Sequence, residues 1–259
     1  NDKVPEKFAF LHVGQWTKGE YGEDRKDIAK TIKIFYESFA NKKKQPALIL
    51  KTSGATFSII DREEILKKIS DVKKSVAGDK FPSVYFIHGD FTDQEMNQLY
   101  NQPKVKAHIT FTHGEGFGRP LLEASMVGLP VITSGWSGQM DFLSQTDSVL
   151  LGGELVNVPK SQHWKDIIIP ESQWFNVNET QAYKAMNYCF ENYNSVKNKA
   201  LNLMKINRDK FTLDKMTEKL DEIVTPYVEK VPTQVGLNLP KLKKVNKSEP
   251  PKMKLPKLK

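Results

Sequence analysis

His113-Gly114-Glu115-Gly116-Phe117-Gly118-Arg119-Pro120-Leu121-Leu122-Glu123 is the stretch on which the reading of this chain turns. An apolar run at residues 107–111 precedes it and amphipathic sequence follows, which predicts a strand, a glycine-rich turn and a helix. Three glycines in five positions strip side chains from the turn, so a ligand oxygen can come close to backbone N–H groups. Pro120 suits the first helical position and Gly128 marks the stop. The positive end of that helix points at the same spot, a geometry fit for a phosphate or a sugar hydroxyl. Glu115 falls in the loop and Glu123 about one helical turn inside it. Two such carboxylates are common in any sequence, and the surrounding chain has to decide what they do.

Working outward, short apolar runs at 8–13, 47–51, 84–88, 129–133 and 149–151 alternate with longer amphipathic stretches. Ile28, Ile32, Phe35 and Phe39 recur at helical spacing, as do Ile65, Ile69, Val72 and Val76. Thr92 and Glu95 have capping-box spacing, and from Asn178 to about Glu229 the chain reads as helices alone. The fold class is therefore α/β: a Rossmann-like parallel sheet flanked by helices, with a helical C-terminal segment. In such sheets ligands bind beyond the carboxyl ends of the strands. Five polar or glycine-rich loops fall there, at 14–26, 52–56, 89–91, 112–119 and 134–139.

Glu115, seven residues, then Glu123, with Gly116-Phe117-Gly118 inside and Glu123-Ala124 closing it, resembles the signature of family-4-type retaining glycosyltransferases of the GT-B fold. Gly128-Leu129-Pro130-Val131-Ile132 is similar to the family's strand start, and Ser137-Gly138 with Asp141 to its Gly-Gly and following acid. The resemblance runs from about residue 8 to 151. It implies the carboxy-terminal, donor-binding half of a GT-B enzyme that moves a sugar from a nucleoside-diphosphate sugar to an acceptor with retention of configuration, a hexosyltransferase type. Glu115 would sit near the transferred sugar, the backbone of Gly116, Phe117 and Gly118 would meet sugar hydroxyls, and Glu123 would bind the ribose. His113, Arg119, Ser137 and Gly138 complete the expected donor site. The family's Gly-Arg and later Lys are replaced by Gly14-Gln15-Trp16 and a longer loop, so the diphosphate cations are sought in Arg25 and Lys26, with Lys18 and Lys51 behind them. Trp136, beside Ser137-Gly138, reads either as packing or as a border of the sugar or base pocket, whereas Trp16, Trp164 and Trp174 read as packing.

No cofactor and no metal are expected. No Asp-x-Asp stands in a suitable loop, and His12, His88, His108, His113 and His163 lack paired ligand spacing. His88 and His108 read as core or strand-end residues. Gly116-Phe117-Gly118 lacks the third glycine of a dinucleotide fingerprint and follows the wrong strand, which argues against a dehydrogenase.

The net charge of +8 is uneven. Nine of the 39 basic residues and one of the 31 acids fall from residue 230 onward, so residues 1–229 are neutral. The expected domains are thus a nucleotide-sugar-binding body at 1–229 and a disordered Pro/Lys-rich tail at 230–259 that can meet an anionic surface. The one cysteine, Cys189, permits no intrachain disulfide, and no run approaches a bilayer span. Together these suggest a cytoplasmic chain, peripheral to a membrane through its tail. The expected partners are a nucleotide-sugar donor, an acceptor that is glycan, lipid or protein, and an N-terminal acceptor domain carried elsewhere, the chain being a piece of something longer. Two other readings stand beside this one: a catalytically idle nucleotide-sugar-binding or scaffold module, and an adaptor recruited through the basic tail.

Overall fold

The computed structural model describes residues 4–17, 21–228 and 230. Six parallel strands form the main sheet: β1 (Ala9–Gln15), β2 (Ala47–Ser53), β3 (Val84–Ile87), β4 (Val105–Thr110), β5 (Val131–Ser134) and β6 (Val149–Leu151). They lie in the order β3-β2-β1-β4-β5-β6, with β1 paired in parallel to both β2 and β4. Successive strands are added on one side of β1 as far as β3 and on its other side from β4 onward, and the crevice of a doubly wound sheet opens at that switch between β1 and β4. All six strands lie where the apolar runs predict them. The architecture is that of half a GT-B fold.

Strand periodicity divides the core in two. Phe10, Leu48, Leu50 and Ile109 face one side, where they meet helices α1 (Ile28–Phe39), α2 (Ile59–Lys74) and α5 (Glu179–Glu191). Ala9, Leu11, Ala47 and Ile49 face the other, where α3 (Asp93–Tyr100), α4 (Arg119–Met126) and α6 (Tyr193–Lys210) supply Tyr100, Leu121 and Leu203. Because side chains on a strand alternate faces, a single run such as Ala9-Phe10-Leu11 feeds both cores. The Ile28, Ile32, Phe35 and Phe39 stripe is fully buried on the first face.

The capping box at Thr92 and Glu95 is present at the start of α3. Gly118 caps α4 in left-handed backbone at φ 91°, which puts Pro120 at the second helical position, one later than expected. Gly128, also at positive φ, follows its end. One element was not anticipated: an antiparallel pair of β7 (Gly153–Asn157) and β8 (Gln173–Val177), with residues 158–172 crossing between them. The chain divides into units at 1–216 and 217–259. The first holds both sheets and α1–α6. The described part of the second is the remainder of helix α7 (Leu213–Val228), which carries Pro226 within it. Of the expected disordered tail at 230–259, residues 231–259 lie outside the described residues, as does Lys18. Among the described residues no helix is long and apolar enough to cross a membrane.

Candidate functional site

Two loops meet at the switch point between β1 and β4. In the first, the Asp24 carboxylate accepts the backbone N–H groups of Lys26 at 3.0 Å and Ile28 at 3.2 Å. Asp27 then takes left-handed backbone at φ 48° and ψ 47° and turns the chain into α1. That tight turn presents Arg25 and Lys26 toward the second loop. The Arg25 carbonyl accepts the His113 N–H at 2.8 Å and the Thr112 hydroxyl at 3.1 Å, which fastens the loops together.

On this framework the three residues expected to carry chemistry converge. Lys26 Nζ donates to Glu115 Oε1 at 2.6 Å. Arg25 Nη1 donates to Glu115 Oε2 at 3.0 Å and to the Gly114 carbonyl at 2.8 Å. Glu115 is only 8% exposed. Burial acts to raise its pKa, but the charge and hydrogen bond of Lys26, then Arg25 and Thr112, outweigh burial and hold the carboxyl below its ordinary value. Burial lowers the Lys26 pKa despite the pull of Glu115 in the other direction. One carboxylate against two cations leaves a net positive centre, open through Arg25, whose side chain is 53% exposed.

Beside this centre the N-terminal end of α4 is undressed. The N–H groups of Gly116, Phe117 and Gly118 find no acceptor among the described residues, and a Cβ added at Gly116 would meet nothing within 4 Å. Unfilled donors at a helix start suit an anion or a hydroxyl. The Phe117 ring is half exposed and leans on Phe142.

Glu123 opens onto a cavity of about 550 Å³ whose wall includes Lys51, Phe91, Asn97, Tyr100 and Arg119. Its Oε2 accepts the Tyr100 hydroxyl at 3.0 Å and its Oε1 pairs with Arg119 Nε at 3.1 Å. Each carboxylate oxygen retains a lone pair for a diol. Lys51 donates to the Gly89 carbonyl at 2.7 Å and lies over the Phe91 ring at 4.8 Å. It belongs to the wall of the Glu123 cavity, and the Glu115 carboxylate takes its cations from Arg25 and Lys26.

The Ser137 hydroxyl and Gly138 N–H both donate to the Glu115 carbonyl, at 2.8 and 3.0 Å, and so hold the glycine-rich loop; Ser137 is exposed and its hydroxyl keeps acceptor capacity toward a ligand. A Cβ at Gly138 would stand 2.1 Å from the Gly116 carbonyl oxygen, which explains the glycine. His113 is 2% exposed; its Nδ1 meets the Phe175 carbonyl at 2.7 Å, its Nε2 faces the Gly22 carbonyl at 3.3 Å, and its ring stacks on Trp174 at 4.0 Å. It ties the site loop to β8 and offers no open nitrogen. Trp164 is exposed, and only Trp16 of the three supposed packing tryptophans is buried.

Tyr100 and Asp24 escaped the sequence reading, and Trp174 was read there as packing alone. Asp24 and Asp27 could have been noticed as acids just before a helix, where they bind orphan N–H groups. His108 lies buried in β4, while His88 Nε2 meets Asp61 Oδ2 at 2.9 Å and links the loop after β3 to the first turn of α2.

Residues 25–169 match the family described as Glycosyl transferases group 1, more than half of the chain. The chain belongs to that family. Comparison with curated proteins gives no significant match. Among solved structures, this group 1 chain is similar to HepE of Anabaena in complex with UDP and glucose, at TM-score 0.56 and 15% identity over 85% of this chain and 48% of that one. It is also similar to the C-terminal domain of the group 1 family protein LpcC from Francisella tularensis, at TM-score 0.55 and 14% identity over 82% and 90% of the two chains. The catalytic domain of a Helicobacter pylori cholesterol-alpha-glucosyltransferase matches at TM-score 0.52 and 14% identity, over 78% and 98%. The chain spans about half the length of the Anabaena protein. At these identities the likeness concerns the fold.

Proposed function

We propose that this group 1 chain is the donor-binding half of a retaining hexosyltransferase, with a nucleoside-diphosphate sugar as co-substrate and neither cofactor nor metal. The observation that carries the reading is the Arg25–Lys26–Glu115 centre lying beside undressed N–H groups and the Glu123 cavity. The nucleoside fills the cavity with its ribose on Glu123, and the diphosphate meets Arg25, Lys26 and the start of α4. The bond from the anomeric carbon to the phosphate oxygen breaks as a bond to the acceptor oxygen forms on the same face, and the acceptor's proton leaves with the diphosphate. Negative charge grows on the departing phosphate, which two cations and a helix end stabilise without a metal ion. Glu115 stands where positive charge grows on the sugar. The acceptor face comes from an N-terminal domain, so this chain alone binds donor and transfers poorly.

Calorimetry with UDP-, GDP- and ADP-sugars tests this, beginning with UDP because HepE and the pneumococcal O-GlcNAc transferase GtfA were solved with it. Glu123→Ala and Arg25→Ala/Lys26→Ala should each weaken binding at least tenfold. EDTA should leave it unchanged. Binding of no nucleotide by the folded chain would favour the idle scaffold. A sharper expectation follows from competition: Glu115 neutralises the cations that the diphosphate needs, so Glu115→Gln should tighten UDP binding severalfold while abolishing transfer.

A further inference from the structure

A second cavity, of about 290 Å³, borders the Glu115 loop at Gly114 and shares no lining residue with the Glu123 cavity to which the nucleoside is assigned. Its walls are the indoles of Trp136 and Trp174 with Val158 and Ile168, and its rim includes Arg25 and Gln173. The unanticipated β7–β8 excursion supplies most of it. Gly114 and Ser137 line it too, and Ser137 is bonded to the Glu115 carbonyl, so the cavity adjoins the reacting centre.

Both indoles are braced from behind. Trp174 stacks on His113, with rings 12° apart, and Trp136 stacks on Phe175, 8° apart at 5.9 Å. The bracing rings are fixed in turn, since Phe175 N–H donates to the His113 carbonyl at 3.0 Å and His113 bonds the Phe175 carbonyl. Trp136 stays 41% exposed, so the face of its indole away from Phe175 is accessible to a ligand. Rigid aromatic walls with polar groups at the edge match one ligand chemistry well: a pyranose ring, apolar on its C–H face and hydroxylated around its rim. A lipid chain would leave the rim groups unpaired.

We infer that this cavity is a saccharide subsite, seating a pyranose ring of the acceptor against Trp136 and Trp174 beside Glu115. The inference rests on the reading of Glu115 as the reacting centre and adds that the donor-binding half itself contributes to acceptor recognition. Arg25 then faces both ligands, with one guanidinium nitrogen on Glu115 and its exposed part at the cavity rim.

The test is a titration of the full chain, by tryptophan fluorescence and calorimetry, with methyl α-glucoside, methyl α-mannoside, methyl β-galactoside and methyl N-acetylglucosaminide. Each is added alone, with UDP and with UDP-glucose. At least one glycoside should bind saturably in the millimolar range, with UDP-glucose present as well as absent. Trp136→Ala should weaken that binding at least tenfold and leave UDP affinity within twofold, and Trp136→Phe should restore most of it. Four wild-type titrations without saturation overturn the subsite, whatever UDP does. Exclusion of the glycoside by UDP-glucose but not by UDP overturns its assignment to the acceptor, and equal loss of UDP and glycoside in Trp136→Ala overturns its separateness. Failure of UDP alone to bind would strike the donor reading and leave the glycoside result to stand by itself.

Discussion

Asp24 shows how much a single buried carboxyl governs at this site. Burial is the largest influence on it, the charge of Asp27 adds to that, and the two N–H bonds and Lys68 oppose them; the net effect raises its pKa from 3.8 to about 7. The folded chain therefore holds a proton that the unfolded chain releases between roughly pH 4 and 7, and stability from Asp24 falls as pH rises through that window. The full gap corresponds to at most about 4 kcal/mol. Asp24→Asn keeps an acceptor but cannot ionise, so its melting temperature relative to the parent should rise from pH 5 to pH 8. His12, whose pKa burial and Lys26 lower to about 4, acts with the opposite sign and is common to both proteins, so its contribution cancels from the difference. Gly138 poses a steric question instead. The atom in the way of a Cβ is backbone, the Gly116 carbonyl, and cannot rotate aside. Gly138→Ala should cost about 1–3 kcal/mol in urea unfolding and displace the glycine-rich loop, weakening UDP binding. An alanine that leaves both unchanged would mean the loop is not held as tightly as the contact implies.

At the scale of elements, the helix starts are the working parts. Helix α3 lends Asp93, Met96, Asn97 and Tyr100 to the Glu123 cavity, and its first turn is fixed by the reciprocal Thr92–Glu95 bonds. Thr92→Ala removes one cap, worth about 1 kcal/mol. Hydrogen exchange should speed up at the start of α3 more than in the central strands, with a modest rise in the dissociation constant for UDP. Uniform acceleration across the sheet would place the cap's effect on global stability. Helix α4 begins differently, with glycine in the capping position and no side-chain cap: the Leu121 and Leu122 N–H groups turn back to the Gly118 carbonyl, and the N–H groups of Gly116, Phe117 and Gly118 just ahead of the helix have no acceptor among the described residues and stay open to a ligand. The contrast between a dressed helix and a bare one was visible in the sequence, because capping chemistry is local. The β7–β8 pair was not. Gly152-Gly153 interrupts the chain ahead of it, Glu154-Leu155-Val156-Asn157 does not alternate strictly between apolar and polar, and its pairing joins residues as far apart as Gly153 and Val177.

For the whole molecule, charge and fold separate along the chain. Eight lysines lie in residues 231–259 and the body before them is close to neutral, so the tail carries the basicity and the sheet carries the site. Truncation after Lys230 should leave UDP binding within twofold by calorimetry while abolishing retention on anionic vesicles. Loss of nucleotide binding on truncation would instead make the tail part of the site. The sequence by itself determined the six strands, their parallel class, the helical stripes and the loops that carry the site, because burial on both faces and helical spacing are written in runs of neighbouring residues. It also named Arg25, Lys26, Glu115 and Glu123 as candidates. Only the tertiary structure decided how they stand. Lys26 and Glu115 are 89 positions apart, His113 and Phe175 are 62 apart, and Ser137 turned inward to the Glu115 carbonyl. Such pairings are fixed by the closing of distant loops at the sheet's switch point, and residue spacing along the chain holds no record of which donor will be used up inside and which left open to a ligand.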